Sequence, residues 1–344
     1  MWSASGLLPP PPAGSSGTQE ERVHMSRSAE PSDVRKPLSG KRRLAFGLCG
    51  GVAALAVAAT AVAATGGTGT ERNTSPQPGK AAQALKVMSL NTWHGGAKVP
   101  DGVNKIVRQI KDSGADVVAL QESSSPVAKE MAGKLGWKHY TASGTDVDLL
   151  SRKPVEKTDA FSEKESGAKA IAAKIQGVWV YSIHLDYTKY GPYNACFDQD
   201  SYQQIYADEA SRKAQAEAIA KWTGSSPAIV AGDFNTPSHL DWTEATKSGH
   251  CNSAVAWPAP KAFAGQGFKD SFRQLHPDPA KVPGETWSPV TKKNSDYGNK
   301  PEPQDRIDFI LHRGGSLEPT DSRTFGGGPD WPSDHLAVVT TFRL

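Results

Sequence analysis

The sequence has only three cysteines in 344 residues, and no cluster of cysteines and histidines at metal-site spacing. That argues against a structural zinc site and against a small domain held together by many disulfides. It has little net charge. The formal value is +3, and residues 1–65 hold 7 Lys/Arg against 4 Asp/Glu, so the rest of the chain carries 32 of each. Such a chain has no bulk attraction for polyanions, which counts against a simple nucleic-acid-binding module. Neither 186–200 nor 236–304 contains a dense Lys/Arg cluster, Lys292-Lys293 being the best available, and this disfavours an inositol-polyphosphate clamp. There is no internal repeat. No apolar hairpin stands out as a membrane-inserting element. The apolar share, 37%, is modest because Gly (33) and Pro (25) are numerous, which marks a loop-rich protein.

One long uncharged run is present. Lys41, Arg42 and Arg43 precede Leu44–Ala64, and Ala61-Val62-Ala63 supplies small residues at its end. This order reads as a secretory signal peptide, with its hydrophobic region in 44–65. The alternative is an uncleaved membrane anchor formed by residues 44–64. Residues 1–43 read as a disordered leader, of which 1–24 fit a start-site artefact ahead of Met25. Residues 66–84 read as a flexible linker, and 85–344 as one catalytic domain. The chain is therefore expected to be secreted. Cys49 leaves with the leader, so Cys196 and Cys251 are expected to form one disulfide.

From Leu85 the pattern alternates between strands and helices. Strands are expected at Lys86–Asn91, Asp116–Glu122, Val147–Leu150, Ala170–Ile175, Val178–Leu185, Ala228–Asp233, Arg306–His312 and Leu336–Phe342. Helices are expected around Val103–Ile110, at Val127–Leu135, and as one long helix over Tyr202–Trp222 with a Glu209–Lys213 pair. The segments 186–200 and 236–304 read as loops.

Polar residues recur where the expected strands end: Asn91, Glu122, His184, Asp233, Asn235, Asp308, Asp334 and His335. Singly, each is an ordinary turn former or a hydrogen-bonded core histidine. Together they would line one cleft if the strand ends share a rim. Hard oxygen donors without cysteines suit Mg²⁺ or Mn²⁺, with Ca²⁺ also admitted. Two imidazoles add proton transfer or charge stabilisation, so the set suits attack of water on a phosphate ester. His94 reads equally as a cleft residue and as a surface residue before Gly95-Gly96. Trp242, Trp257, Trp287 and Trp331 read either as stacking surfaces or, for at least half of them, as pins that hold loops to the body.

The order of short motifs resembles the endonuclease/exonuclease/phosphatase superfamily. The matching pieces are Ser-Leu-Asn-Thr-Trp (89–93), Val-Ala-Leu-Gln-Glu (118–122), Asp-Leu-Leu-Ser-Arg-Lys-Pro (148–154) and Ile-His-Leu (183–185). They continue with Gly-Asp-Phe-Asn (232–235), Arg-Ile-Asp-Phe-Ile (306–310) and Ser-Asp-His (333–335). The resemblance implies an α/β (α+β) fold, a four-layer α/β/β/α sandwich like that of deoxyribonuclease I. It implies metal ligation by Asn91, Glu122 and Asp334. It implies that Asp233 orients or deprotonates water, that Asn235 and His335 contact the scissile phosphate, and that His184 stabilises the transition state or assists the leaving group. Asp308 would orient His335, with Asp305 as the other candidate. The implied substrate is a phosphate ester, nucleic acid first and phospholipid or small phosphodiesters next. No protein partner is implied, and the chain reads as a monomer. A binding module on the same fold is the non-enzyme alternative.

Overall fold

A computed structural model of the chain describes residues 83–344. The expected leader, signal peptide and most of the linker lie outside the described residues. In chain order, the first half contains β1 (Ala84–Asn91), α1 (Gly102–Ser113), β2 (Val117–Gln121), α2 (Ser125–Leu135), β3 (Lys138–Thr141), β4 (Asp148–Ser151), β5 (Lys157–Ser162), β6 (Lys169–Ile175) and β7 (Val178–His184). Then come α3 (Gly191–Tyr193, continued by a π-helical turn at Asn194–Asp198), α4 (Tyr202–Asp208), α5 (Ala210–Trp222), β8 (Ala228–Asp233), α6 (Pro258–Gly265), β9 (Lys269–Asp270) and α7 (Ser271–Leu275). The last elements are β10 (Lys293–Asn294), β11 (Lys300–Pro301), β12 (Asp308–Arg313), β13 (Glu318–Phe325) and β14 (Ala337–Arg343). No helix among the described residues is long and apolar enough to cross a membrane.

Two six-stranded sheets form the centre. One runs β13-β14-β1-β2-β4-β3 and the other β5-β6-β7-β8-β12-β9. Side chains alternate along each strand, so each sheet has two faces to cover. Leu85, Val87, Val117 and Leu149 of the first sheet pack on Val180, Ile229, Ala231 and Ile310 of the second. The alternate residues Met88, Leu90, Val118 and Leu120 pack outward against Ile106 and Ile110 of α1 and Met131 of α2. On the far side, Ile183, Val230 and Phe309 meet Ile219 of α5 and Phe263 of α6. The result is a four-layer α/β/β/α sandwich. Fully burying one such Leu or Ile stabilises by about 1.5–3 kcal/mol, so these three apolar layers fix the register of the central strands.

Several expectations change. The long helix over Tyr202–Trp222 is interrupted at Glu209, which is fully buried. Its carboxylate accepts from Arg212 Nε (2.9 Å) and Nη2 (2.5 Å), so its partner is Arg212, and Lys213 pairs with Glu217 instead. Arg212 also donates to the carbonyls of Asp186, Thr188 and Lys189, which pins the loop after β7. The segment 236–304 contains α6, α7 and three short strands. Asp241 within it accepts from Arg273 Nε (2.5 Å) and Arg306 Nε (3.0 Å), tying it to the start of β12. Cys196 and Cys251 form a disulfide, with Cα atoms 5.1 Å apart.

Candidate active site

The site is the polar end of the interface between the sheets. On β1 the inward face reads Leu85, Val87, Ser89, Asn91, changing from apolar to polar along the strand. Ala119 and Gln121 on β2, Ser182 and His184 on β7, and Ala231 and Asp233 on β8 repeat the change. Ser89 Oγ donates to Gln121 Oε1 (3.3 Å), Gln121 Nε2 to Ser182 Oγ (3.4 Å), and Ser182 Oγ to the Leu120 carbonyl (3.1 Å). This buried, hydrogen-bonded layer floors the cleft. Register then sets the next row. His184 lies opposite Asp233 across β7/β8, and Asp233 lies opposite Asp308 across β8/β12. Gly232 allows the close approach of these strands: a Cβ there would sit 2.2 Å from the Ile183 carbonyl oxygen.

Asn91 Nδ2 donates to Asp233 Oδ2 (3.0 Å) and to Glu122 Oε1 (3.2 Å), so it bridges the two sheets. Its own Oδ1 accepts from the Trp93 N–H (3.0 Å). Glu122 sits just past β2 with φ 51°, and its Oε2 accepts from the His94 N–H (2.9 Å). His184 and His335 each hold Nε2 3.7 Å from Asp233 Oδ2. Asp233 Oδ1 accepts from the Asn235 N–H (2.8 Å), and Asn235 Nδ2 donates to the Leu185 carbonyl (2.9 Å). His335 Nδ1 lies 2.9 Å from Asp308 Oδ2. Asp305 is elsewhere engaged: it accepts from Trp242 Nε1 (2.7 Å) and the Tyr190 hydroxyl (3.0 Å), and burial pushes its carboxyl up to about 7.

The electrostatics follow from burial and from neighbouring charges. Burial alone would lower the His335 imidazolium, but the charges of Asp308 and Asp233 overcome it and raise His335 to about 10. Burial raises Asp308, against the pull of His335. For Asp334, burial is again the first cause, and the charges of Glu122 and Asp233 add to it, so its carboxyl is pushed up to about 6. Among the described residues, Asp334 Oδ1 is buried with no hydrogen-bond partner. Burial opposes protonation of His184, but its bond to Asp146 and the charges of Asp233 and Glu122 carry it upward. Asp233, Asp308 and His335 have donor atoms within 4.8 Å of one another. His335 and Asp308 satisfy each other, however, so this trio is better suited to holding a proton, and Glu122 and Asp334, close enough to feel each other's charge, are the carboxylates better suited to a cation.

Four residues in the site's framework were not legible as such. Asp146 Oδ2 lies 2.7 Å from His184 Nδ1, on the ring edge away from Asp233. Thr286 Oγ1 accepts from the N–H groups of Ile307 and Asp308 (3.0 and 3.1 Å). Ser333 Oγ donates to the Asn91 carbonyl (2.6 Å), which joins the turn before β14 to the end of β1. Trp287 packs its ring 5.0 Å from that of His335 and donates Nε1–H to Glu302 (2.9 Å). The other loop tryptophans, Trp242, Trp257 and Trp331, are buried and pin loops to the body.

A sandwich of this kind with carboxylates, imidazoles and amides gathered at one rim defines a class of phosphoester hydrolases. The chain belongs to the Endonuclease/Exonuclease/phosphatase family, whose model matches residues 88–335. Members of that family are generally dependent on a divalent metal and hydrolyse phosphoester bonds. The chain is 35% identical over 289 residues to the uncharacterized protein F14F9.5 of Caenorhabditis elegans, a match covering 76% of this chain and 92% of that protein. Among solved structures it is similar in fold to a 3′ phosphatase from Neisseria bound to a product DNA hairpin (TM-score 0.52, 18% identity, 76% of this chain and 100% of that one). It is also similar to TDP2 from Caenorhabditis elegans (TM-score 0.51, 20% identity, 76% and 98%) and to an AP endonuclease from Archaeoglobus fulgidus (TM-score 0.50, 18% identity, 76% and 100%).

Proposed function

We propose that the chain is an exported phosphodiesterase that uses Mg²⁺ or Mn²⁺, with Ca²⁺ also admitted. The observation that carries this reading is Asp334: one carboxylate oxygen is buried without a partner, and the nearby charge of Glu122 helps hold the carboxyl up to about 6. A buried carboxylate oxygen without a partner, beside a second carboxylate, fits a hard cation. Glu122 and Asp334 would hold it; Asn91, whose Nδ2 donates to Glu122 and whose Oδ1 accepts from the Trp93 N–H, would position Glu122, and would join the donor set through its oxygen only with the amide turned round. When bound, the ion supplies positive charge for the phosphoryl and leaving-group oxygens.

The chain's own residues account for the rest of the chemistry. Asp233, anchored by Asn91 and the Asn235 N–H, orients the attacking water and takes its proton as the new P–O bond forms. His335, kept protonated by Asp308, and the Asn235 amide hold the non-bridging phosphoryl oxygens as charge builds on them. His184, tethered by Asp146, gives a proton to the departing oxygen as its P–O bond breaks. The preferred substrate class is a phosphodiester, with nucleic acid ahead of phospholipid head groups and small phosphodiesters. The DNA hairpin bound to the structurally similar phosphatase supports that order, and the disulfide supports export.

The test is a panel assay of purified protein with Mg²⁺, Mn²⁺ or Ca²⁺ on plasmid DNA, RNA, sphingomyelin, bis-p-nitrophenyl phosphate and p-nitrophenyl phosphate. Diester hydrolysis that chelator abolishes is the expected result. Hydrolysis of the monoester alone would contradict the diesterase reading.

A further inference from the structure

Beside Glu122 lies a hollow of about 350 Å³ whose lining includes His94 and Tyr187. Resting on the phosphodiesterase reading above, we propose that this hollow is the subsite for an uncharged planar ring carried on the scissile phosphate, with the imidazole of His94 and the phenol of Tyr187 as its walls.

His94 is held in place by an unusual backbone. Trp93, His94, Gly95 and Gly96 all have positive φ (49°, 57°, 67° and 81°), and the Gly96 N–H closes the turn on the Thr92 carbonyl at 2.7 Å. Four such residues in a row make one left-handed turn, which L-residues adopt only when their surroundings impose it. The surroundings here are the site itself. Trp93 N–H donates to Asn91 Oδ1, His94 N–H to Glu122 Oε2, and Gly95 N–H to Thr92 Oγ1. At Gly95 a Cβ would come within 3.1 Å of Val127, and at Gly96 within 2.9 Å of the Gly102 backbone. The turn thus places one side chain at the cleft. His94 Nδ1 is 3.5 Å from Glu122 Oε2, while 61% of the side chain stays exposed.

Tyr187 approaches from the other sheet, on the loop that follows β7. Among the described residues it is the most exposed large hydrophobic one, at 75%. Its loop is not free to collapse, because Arg212 donates to the carbonyls on both sides of it, at Asp186 and Thr188. An exposed ring on a pinned loop, lining the same hollow as a second exposed ring on a pinned turn, is suited to stacking.

The remaining walls define the guest. Neither Lys nor Arg lines the hollow; His184 reaches it but is tethered to Asp146, and Glu122 adds a second carboxylate, so the walls do not favour a second phosphate. Ser123 and Ser124 add hydroxyls suited to polar atoms on the edge of a ring. An uncharged nucleobase or aryl group fits these walls, and an inositol polyphosphate does not.

The test is calorimetric binding, in Mg²⁺ buffer, of two inert probes of like charge, phenylphosphonate and methylphosphonate. The wild type should prefer the phenyl probe by about tenfold, the equivalent of ~1.4 kcal/mol. Tyr187→Ala and His94→Asn each remove a ring, asparagine being tolerant of positive φ, and each should cut the preference several-fold. Tyr187→Phe keeps the ring and should keep the preference. Equal affinities in the wild type, or a preference that survives either ringless variant, would overturn the subsite. Hydrolysis is not needed for this readout. Ring selectivity without turnover in the substrate panel would instead count against the phosphodiesterase reading.

Discussion

Replacing Asp308 with asparagine probes the electrostatics on which the proposed phosphate site depends. The two residues have nearly the same shape, and asparagine Oδ1 can still accept from His335 Nδ1–H, so packing is preserved and only charge is lost. In the wild type, burial alone would depress the imidazolium, and the charges of Asp308 and Asp233 lift it to about 10. That value lies above the unfolded ~6.5. The contribution of the protonated ring to stability is therefore complete below about 6.5 and is lost as pH rises through about 10. With Asp308 neutral, Asp233, 3.7 Å from Nε2, and the weaker influence of Asp334 remain to support the charge, and the upper end of this window moves toward neutrality. A hydrogen bond to a charged group contributes roughly 1.5–3 kcal/mol, which corresponds to about 10- to 150-fold. We expect kcat/KM to fall by about that factor near neutral pH and by more in alkali. A bound cation would repel the imidazolium and shift both profiles downward, leaving the wild-type alkaline limb above that of the variant. The assay is a pH profile of bis-p-nitrophenyl phosphate hydrolysis at saturating Mg²⁺, with circular dichroism as the folding control. An alkaline limb at the same pH in both proteins, or a variant within about twofold of wild type, would refute the argument.

Asp334, raised to about 6, should make the cation-free protein less stable as pH rises from about 4 to about 6, because its folded pKa exceeds the unfolded ~3.9. Mg²⁺ should then raise the thermal midpoint clearly at neutral pH and little near pH ~4; an equal rise at both would contradict the assignment. Asp146→Asn removes the charge at 2.7 Å that tethers His184, and kcat should fall by roughly 10- to 100-fold; an unchanged kcat would remove Asp146 from the mechanism. Cys196→Ser/Cys251→Ser opens a loop of sequence separation 55, which should cost about 4 kcal/mol in the chain-entropy model. The site's strands are tied elsewhere, so activity should survive while the urea midpoint falls, and an unmoved midpoint would contradict the estimate.

The central strands were legible because their buried faces alternate so regularly that Val87, Ala119, Val180 and Ala231 announce themselves. Six strands were missed: β9, β10 and β11 have only two residues each, and the three longer ones, β3, β5 and β13, are all sheet edges. Their sequences, Lys-His-Tyr-Thr, Lys-Thr-Asp-Ala-Phe-Ser and Glu-Pro-Thr-Asp-Ser-Arg-Thr-Phe, are polar because an edge need not bury both faces, and charge there discourages pairing with other chains. The break at Glu209 was invisible because the partner that makes its burial tolerable, Arg212, belongs to the same polar stretch. Strand-end residues of the site could be read locally, whereas Asp146 could not: it lies in a polar loop 38 residues from His184, and only the fold brings them together. Asp305 and Asp308 look alike in sequence, but they point opposite ways on an extended segment, one toward Trp242 and Tyr190, the other toward His335.

The central claim is that Glu122 serves a divalent cation while His335 serves the phosphate directly. It is tested most directly by a metal titration of kcat/KM for the wild type, Glu122→Ala and His335→Ala. The account predicts that chelator abolishes wild-type activity, that higher Mg²⁺ or Mn²⁺ restores part of the loss in Glu122→Ala, and that no metal concentration restores His335→Ala. Full wild-type activity in chelator, or near-wild-type turnover by His335→Ala, would contradict it.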